Sequence, residues 1–277
     1  MQFWGGAMGA VGLGLHAPEI ETCSYGRSRL VCRGPARSLQ GIHVAALGGA
    51  GTFGKGVARP WPQLLEAALG QPVVNFGAVG AGVDALLADE TLCLAAGRAE
   101  VAVLQLPGAG ALGNPYYRVH PRRNDRVIGP TPALQALYPE VDFCEFSFAR
   151  HLLGTLERRC PQRFARLAAV LQATWVERMG LLLSRIDSPV VLLWLAQGRP
   201  PAVAEAGPVL APSLVTRPML EALRPCAADL VEVAVPADAT GPAGLPGPST
   251  HQAVATALAR RLQPAQDAAR PHRRASG

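Results

Sequence analysis

The chain has 277 residues, 49% of them hydrophobic and 17% charged, which suits one large domain with a full core and excludes a disordered chain. The formal charge is +6 and nearly all of the positive charge is arginine, Lys55 being the one lysine; with 5% aromatics and no recognised binding motif, the balance speaks against a nucleic-acid partner. There is no run of about 18 to 20 apolar residues for a membrane span, and the six scattered cysteines, without a CxxC pair or metal-site spacing, point to a reducing, cytoplasmic compartment and to no metal or cofactor.

Residues 1–40 have no clear period and read as an irregular lead-in with room for a short strand. Met1 to His16 lacks a basic n-region, so a signal peptide is not expected. IHVAALG (42–48) is a buried strand ending in glycines, WPQLLEAAL (61–69) a helix opening on a first-turn proline, and PVVNF (72–76) a second strand. A helix over 83–96 leads to the third strand, EVAVLQL (100–106). Residues 107–142 then form a long polar and aromatic loop, and a loop of that length is usually functional, so it is expected to lie over the site. Helices follow at 145–157 and 162–186, the second with Phe164, Leu167, Leu171, Trp175, Met179 and Leu182 at helical spacing, a stripe that reads as core. The fourth strand is PVVLLWLA (189–196). A Pro-rich loop, a helix over 217–227, a fifth strand over 230–235, a second Pro/Gly loop and a last helix over 250–262 complete the pattern, with Ser249 or Thr250 as its N-cap.

Strands alternating with helices through short connections imply βαβ units and a parallel sheet. The expected fold is therefore α/β: a three-layer αβα domain with a flavodoxin-like, doubly wound, five-stranded parallel sheet over residues 41–263, followed by a disordered basic tail at 264–277. Such sheets bind ligands outside the carboxyl ends of their strands, which sends the search for chemistry to four loops.

The first is Gly48 to Gly54 (GGAGTFG), after strand one; the second is Asn75 to Gly82, after strand two; the third runs from Gly108 to Asn114; the fourth contributes His251 at the start of the last helix. In order and place these blocks resemble those of the SGNH (GDSL-type) hydrolases. GGAGTFG lies on that family's Gly-Asp-Ser-x-Thr-x-Gly, Val73 to Gly80 on its second block, and His251 on its final histidine, over residues 42 to 262. The resemblance puts Gly49, Ala50 and Gly51 at the nucleophile turn, Gly77 and Gly80 at the second block, and Gly80 and Asn114 near an oxyanion position. It also puts Ala50 where the family holds its serine and Pro248 where it holds its aspartate. Thr52 is the nearest hydroxyl to that turn, so Thr52 and His251 are the catalytic candidates.

Residues 114–126, NPYYRVHPRRNDR, bring Arg118, His120, Arg122, Arg123 and Arg126 together. Planar guanidinium forks suit carboxylate, phosphate or sulfate, and His120 adds a titratable group. The same arginines would also serve to pin the loop through Asp125, Glu140, Asp142 and Glu145. This run, with Val141 to Phe146 and the Arg33-Gly34-Pro35 segment, resembles an uncharacterised bacterial domain family with no assigned reaction. Beside a pathway-associated structural protein with no pocket chemistry, two functions stay open. One is a hydrolase or group transferase with a non-standard catalytic set, acting on a small anionic or acyl substrate. The other is an inactive SGNH-like domain that binds an anionic ligand or a protein partner. Neither reading specifies an oligomeric state.

Overall fold

The computed structural model describes residues 20–203, 213–235 and 244–269. The first part of the lead-in, the middles of the two Pro-rich loops and the tail from 270 lie outside the described residues.

Five parallel strands form the central sheet: β3 (Val44–Gly48), β4 (Val73–Gly77), β5 (Val101–Gln105), β8 (Val190–Ala196) and β9 (Asp229–Ala234), in the spatial order β4-β3-β5-β8-β9. In chain order this is 2-1-3-4-5, the flavodoxin-like winding, with its switch point between β3 and β5. Two further pairs are antiparallel: β1 (Thr22–Cys23) with β2 (Cys32–Arg33), and β6 (Tyr117–His120) with β7 (Arg123–Pro130).

The inner strands β3, β5 and β8 read as apolar runs because both faces are covered, whereas the edge strands β4 and β9 admit Asn75, Asp229 and Glu232. Along β8, Val190, Leu192, Trp194 and Ala196 join one core cluster while Val191, Leu193 and Leu195 join the other. That is the two-residue period of a strand expressed without a polar side. One layer consists of α2 (Trp61–Leu69) and α9 (Pro248–Ala269), which pack on each other over the second cluster. The opposite layer holds α3 (Val83–Leu87), α4 (Glu90–Gly97), α6 (Ala149–Arg159), α7 (Pro161–Ser184) and α8 (Arg217–Leu223). All six residues of the α7 stripe are buried. Removing a fully buried side chain such as Leu193 costs about 2–5 kcal/mol.

The structure differs from the sequence pattern in four places. The helix expected over 83–96 is two helices. Asp89 stops the first and caps the second, accepting from Leu92 N–H at 3.1 Å, while its other oxygen accepts from Ser28 Oγ at 2.7 Å and so ties the lead-in to the domain. The turn after β3 contains a four-residue helix, α1 (Ala50–Phe53), closed by Gly54 at φ 74. The 107–142 segment is not one loop: it carries the β6–β7 hairpin and α5 (Pro132–Leu137). The last helix starts at Pro248, so Ser249 and Thr250 sit inside its first turn rather than capping it; proline's fixed φ suits that first position. That helix also runs on to Ala269.

Candidate functional site

Three of the four expected loops meet at the carboxyl ends of β3, β4 and β5. Gly48 and Gly77 are cross-strand partners at the ends of β3 and β4. A Cβ on Gly77 would strike the Phe53 backbone nitrogen, so glycine is needed for α1 to lie against the second strand. Asn75 then locks the pair: its Nδ2 donates to Thr52 O at 2.9 Å and its Oδ1 accepts from Gly77 N–H at 2.8 Å. Gly49 and Ala50 are half-buried at the start of α1, and Gly51 is buried.

Thr52 is fully buried, and its hydroxyl donates to Gln105 Oε1 at 2.7 Å. This bond crosses from the end of β3 to the end of β5, and so spans the switch point. The Gln105 amide lies so close to Gly51 that a Cβ there would sit 2.6 Å from Nε2. Gln105 was not among the expected site residues; the signal for it was a lone polar residue in the apolar run VAVLQL.

His251 lies in the first turn of α9 and is 1% exposed. Its Nδ1 accepts the backbone N–H of Trp61 at 3.0 Å, an orphan donor at the start of α2. A neutral imidazole that accepts at Nδ1 carries its proton on Nε2, which assigns the tautomer. Burial pushes the His251 pKa down from 6.5 to about 4, with the Arg33 charge adding to the fall. The imidazole is neutral near pH 7 and presents a donor at Nε2. Thr52 and His251 thus hydrogen-bond to different partners, and no bond joins them among the described residues.

Arg33, from the Arg-Gly-Pro segment, fixes this side of the site. Its two terminal nitrogens donate to the carbonyls of Phe53, Gly54, Val57 and Ala58, with the Gly54 bond at 3.0 Å and the Ala58 bond at 2.9 Å. The guanidinium also faces the Phe53 ring, 5.8 Å from its centroid. Burial lowers its pKa, and it forms no ion pair among the described residues. It lines an open-sided hollow of about 230 Å³ together with Glu21, Arg37, Glu66, Pro60 and Asn75.

The arginine-rich run is a hairpin whose turn is organised by His120, which accepts from the Arg122 and Arg123 backbone N–H groups at 3.2 Å each. Asn124 is its anchor. Fully buried, it accepts from Gly82 N–H at 3.1 Å and Ala85 N–H at 2.9 Å and donates to His120 O at 3.0 Å, so it caps α3 from a distant strand. Arg123 pairs with Asp125 at 3.1 Å, and both side chains lie over Gly80, whose φ of +79 and lack of a Cβ make room for them. Arg126 stacks on Phe148, 5.1 Å from the ring centroid. Arg118 and Arg122 are exposed and form no ion pair among the described residues. Glu140 binds Arg163 instead. Asn114 accepts from the Tyr116 and Tyr117 N–H groups at 2.9 and 3.2 Å and donates to Leu112 O, so both ends of its amide serve its own loop.

Among the described residues no group of three or more His, Cys, Asp or Glu side chains is placed to hold a metal ion, and no helix is long and apolar enough to cross a membrane.

Fold and loop geometry define a three-layer, doubly wound α/β domain with its candidate site at the switch point of the sheet. The chain belongs to the family described as Domain of unknown function (DUF6473), whose model matches residues 8–267. No curated protein matches it. Among solved structures it is similar to a family two carbohydrate esterase from Clostridium thermocellum in complex with cellohexaose, at 12% identity and a TM-score of 0.45, covering 86% of this chain and 68% of that one. It is also similar to a carbohydrate esterase family 2 enzyme with a carbohydrate-binding domain from Corynascus thermopiles (Myceliophthora fergusii), at 12% identity and 0.44, covering 85% and 69%. A third is LAE5, an alpha/beta hydrolase enzyme from the metagenome of Lake Arreo, Spain, at 15% identity and 0.41, covering 79% and 93%.

Proposed function

We propose that this chain is an SGNH-type domain that binds a small anionic or acyl-bearing ligand at the carboxyl ends of its sheet, without acyl transfer. The observation that carries the reading is the hydrogen bond from Trp61 N–H to His251 Nδ1. A serine-type mechanism needs a histidine whose Nε2 lone pair takes the nucleophile's proton while a carboxylate holds the other nitrogen. Here a backbone donor occupies Nδ1, so Nε2 bears a proton and offers no lone pair. The remaining parts of the mechanism agree with this. Position 50 is alanine, position 248 is proline, and the one nearby hydroxyl, Thr52, donates to Gln105. What supports binding is the open-sided hollow lined by Arg33, Pro60 and Asn75 beside these loops.

The test is hydrolysis of p-nitrophenyl acetate and butyrate by the wild type, His251→Ala and Ala50→Ser. All three are expected to match the buffer rate. Restoring a hydroxyl at position 50 adds a nucleophile without adding a base. Wild-type turnover that His251→Ala abolishes would sink the binding reading in favour of a hydrolase or transferase.

A further inference from the structure

Three buried side-chain nitrogens have no hydrogen-bond partner among the described residues: His43 Nε2, Trp61 Nε1 and His251 Nε2. His43 precedes β3 at the amino end of the sheet, away from the loops. The other two belong to neighbouring residues, joined by the bond between the Trp61 backbone and the His251 ring. Trp61 is fully buried and His251 is 1% exposed, so bulk water does not satisfy either group. Because His251 accepts at Nδ1, both orphan groups are N–H donors. Native interiors seldom keep a buried donor without an acceptor, and here two belong to residues joined by one hydrogen bond.

Two helix dipoles point at that junction with the same sign. The amino ends of α2 and of the 22-residue α9 meet there, and each presents the positive end of its dipole. Arg33 stands close enough to act on the His251 charge. Its terminal N–H groups are spent on four carbonyls and it forms no ion pair among the described residues, while Glu21 and Glu66, the latter paired with Arg37, line its hollow. Pro60, the residue before Trp61, lines the same open-sided hollow as Arg33. Two unpartnered donors at two helix amino ends make a place for an acceptor, and the dipoles favour one that is also an anion.

We infer that the α2–α9 junction is a binding site for an anionic oxygen, the carboxylate or phosphate group of the ligand, with His251 Nε2–H as the donor that touches it and Trp61 Nε1–H as a second donor. The inference rests on the domain being a binder. It gives His251 the role of a fixed donor, the reverse of a general base, and it puts the ligand's charged end on the Arg33 side of α1 and not on the hairpin arginines.

The experiment is calorimetric titration of the full chain with inorganic phosphate and, separately, acetate, beside ¹⁵N NMR of the imidazole. The two anions distinguish a phosphate-bearing from a carboxylate-bearing ligand, and saturable binding of either one is the expected result. His251→Asn is the informative variant, because its Oδ1 can still accept the Trp61 N–H while the Nε2 donor is gone. It is expected to weaken binding by about ten- to a hundredfold, the weight of one charge-assisted hydrogen bond, and Trp61→Phe by a smaller factor. In the wild type the His251 Nε2–H proton is expected to move downfield and exchange slowly at saturation. Equal affinity in His251→Asn, with loss in Arg123→Ala instead, would place the anion on the hairpin and overturn the inference while leaving the binding reading intact. Absence of saturable binding by either anion, or a phosphate-soaked crystal holding only a water at Nε2, would also overturn it. Should His251→Asn fail to fold, an imidazole signal in the wild type that does not shift at saturating anion decides against it. Ester hydrolysis dependent on His251 would sink the binding reading itself.

Discussion

Acid stability gives the most direct check on the state of His251. In the unfolded chain this imidazole takes up a proton near pH 6.5, whereas in the folded protein burial and Arg33 hold it back to about pH 4. Between those values the unfolded state binds more protons, so stability falls as pH falls. The contribution is fully present above pH 7, drains away between about 6.5 and 4, and is flat below that. At about 1.4 kcal/mol for each tenfold change in proton affinity, the whole gap is worth about 3 kcal/mol. The assay is guanidinium unfolding of the wild type and His251→Asn from pH 7.5 to 4. Asp229 and Glu232, whose pKa values are lowered by hydrogen bonds from Arg261 and Arg217, also lose stability toward acid, but they do so in both proteins and cancel in the difference. The wild type should lose about 3 kcal/mol more than the variant over this range. Parallel curves, within about 0.5 kcal/mol of each other, would refute a buried neutral imidazole at this position and with it the assignment of Nε2 as a donor.

Other consequences are simpler to read. Asn124→Ala removes three hydrogen bonds and leaves the Gly82 and Ala85 N–H groups without their partner, which should cost about 2–4 kcal/mol in denaturant unfolding; a cost below about 1 kcal/mol would mean that the hairpin does not hold α3. Gly77→Ala drives a methyl group into the backbone of α1, where no rotamer change can relieve it, and should cost about 3 kcal/mol or more or abolish soluble expression. Thr52→Val keeps the side-chain shape and loses the bond to Gln105, for about 1 kcal/mol of stability. If the Thr52 hydroxyl instead serves a reaction, that variant will lose turnover far out of proportion to its stability.

Where apolar periodicity was strong, the fold could be read from the residues alone. β3, β5 and β8 each carry a run of four or more apolar residues because helices cover both faces, and the α7 stripe repeats at helical spacing because one side of the helix is buried. The same rule failed over 107–142 for a physical reason. In the β6–β7 hairpin the alternation Tyr117-Arg118-Val119-His120 lasts only four residues, β7 opens on four polar or charged ones, and the register shifts between Arg118 and His120, so the strand signal is short. The break at Asp89 was equally hidden, because a capping aspartate inside an apolar helical stretch looks like an exposed position until its acceptor role is seen.

The candidate site shows a sharper division. Block order located the loops, since glycines and a late histidine keep their spacing whatever chemistry they serve. Their chemistry depends on contacts that have no local signature. The arginines drew notice by number, yet Asn124 anchors their hairpin. Thr52 drew notice as a hydroxyl, yet Gln105, 53 positions away, accepts its hydrogen bond. For His251 the deciding partner is a backbone N–H 190 residues distant in sequence. A side-chain identity at position 251 says only that an imidazole is present; which of its nitrogens can accept a proton is decided by the amino end of α2, and that makes the difference between a base and a donor.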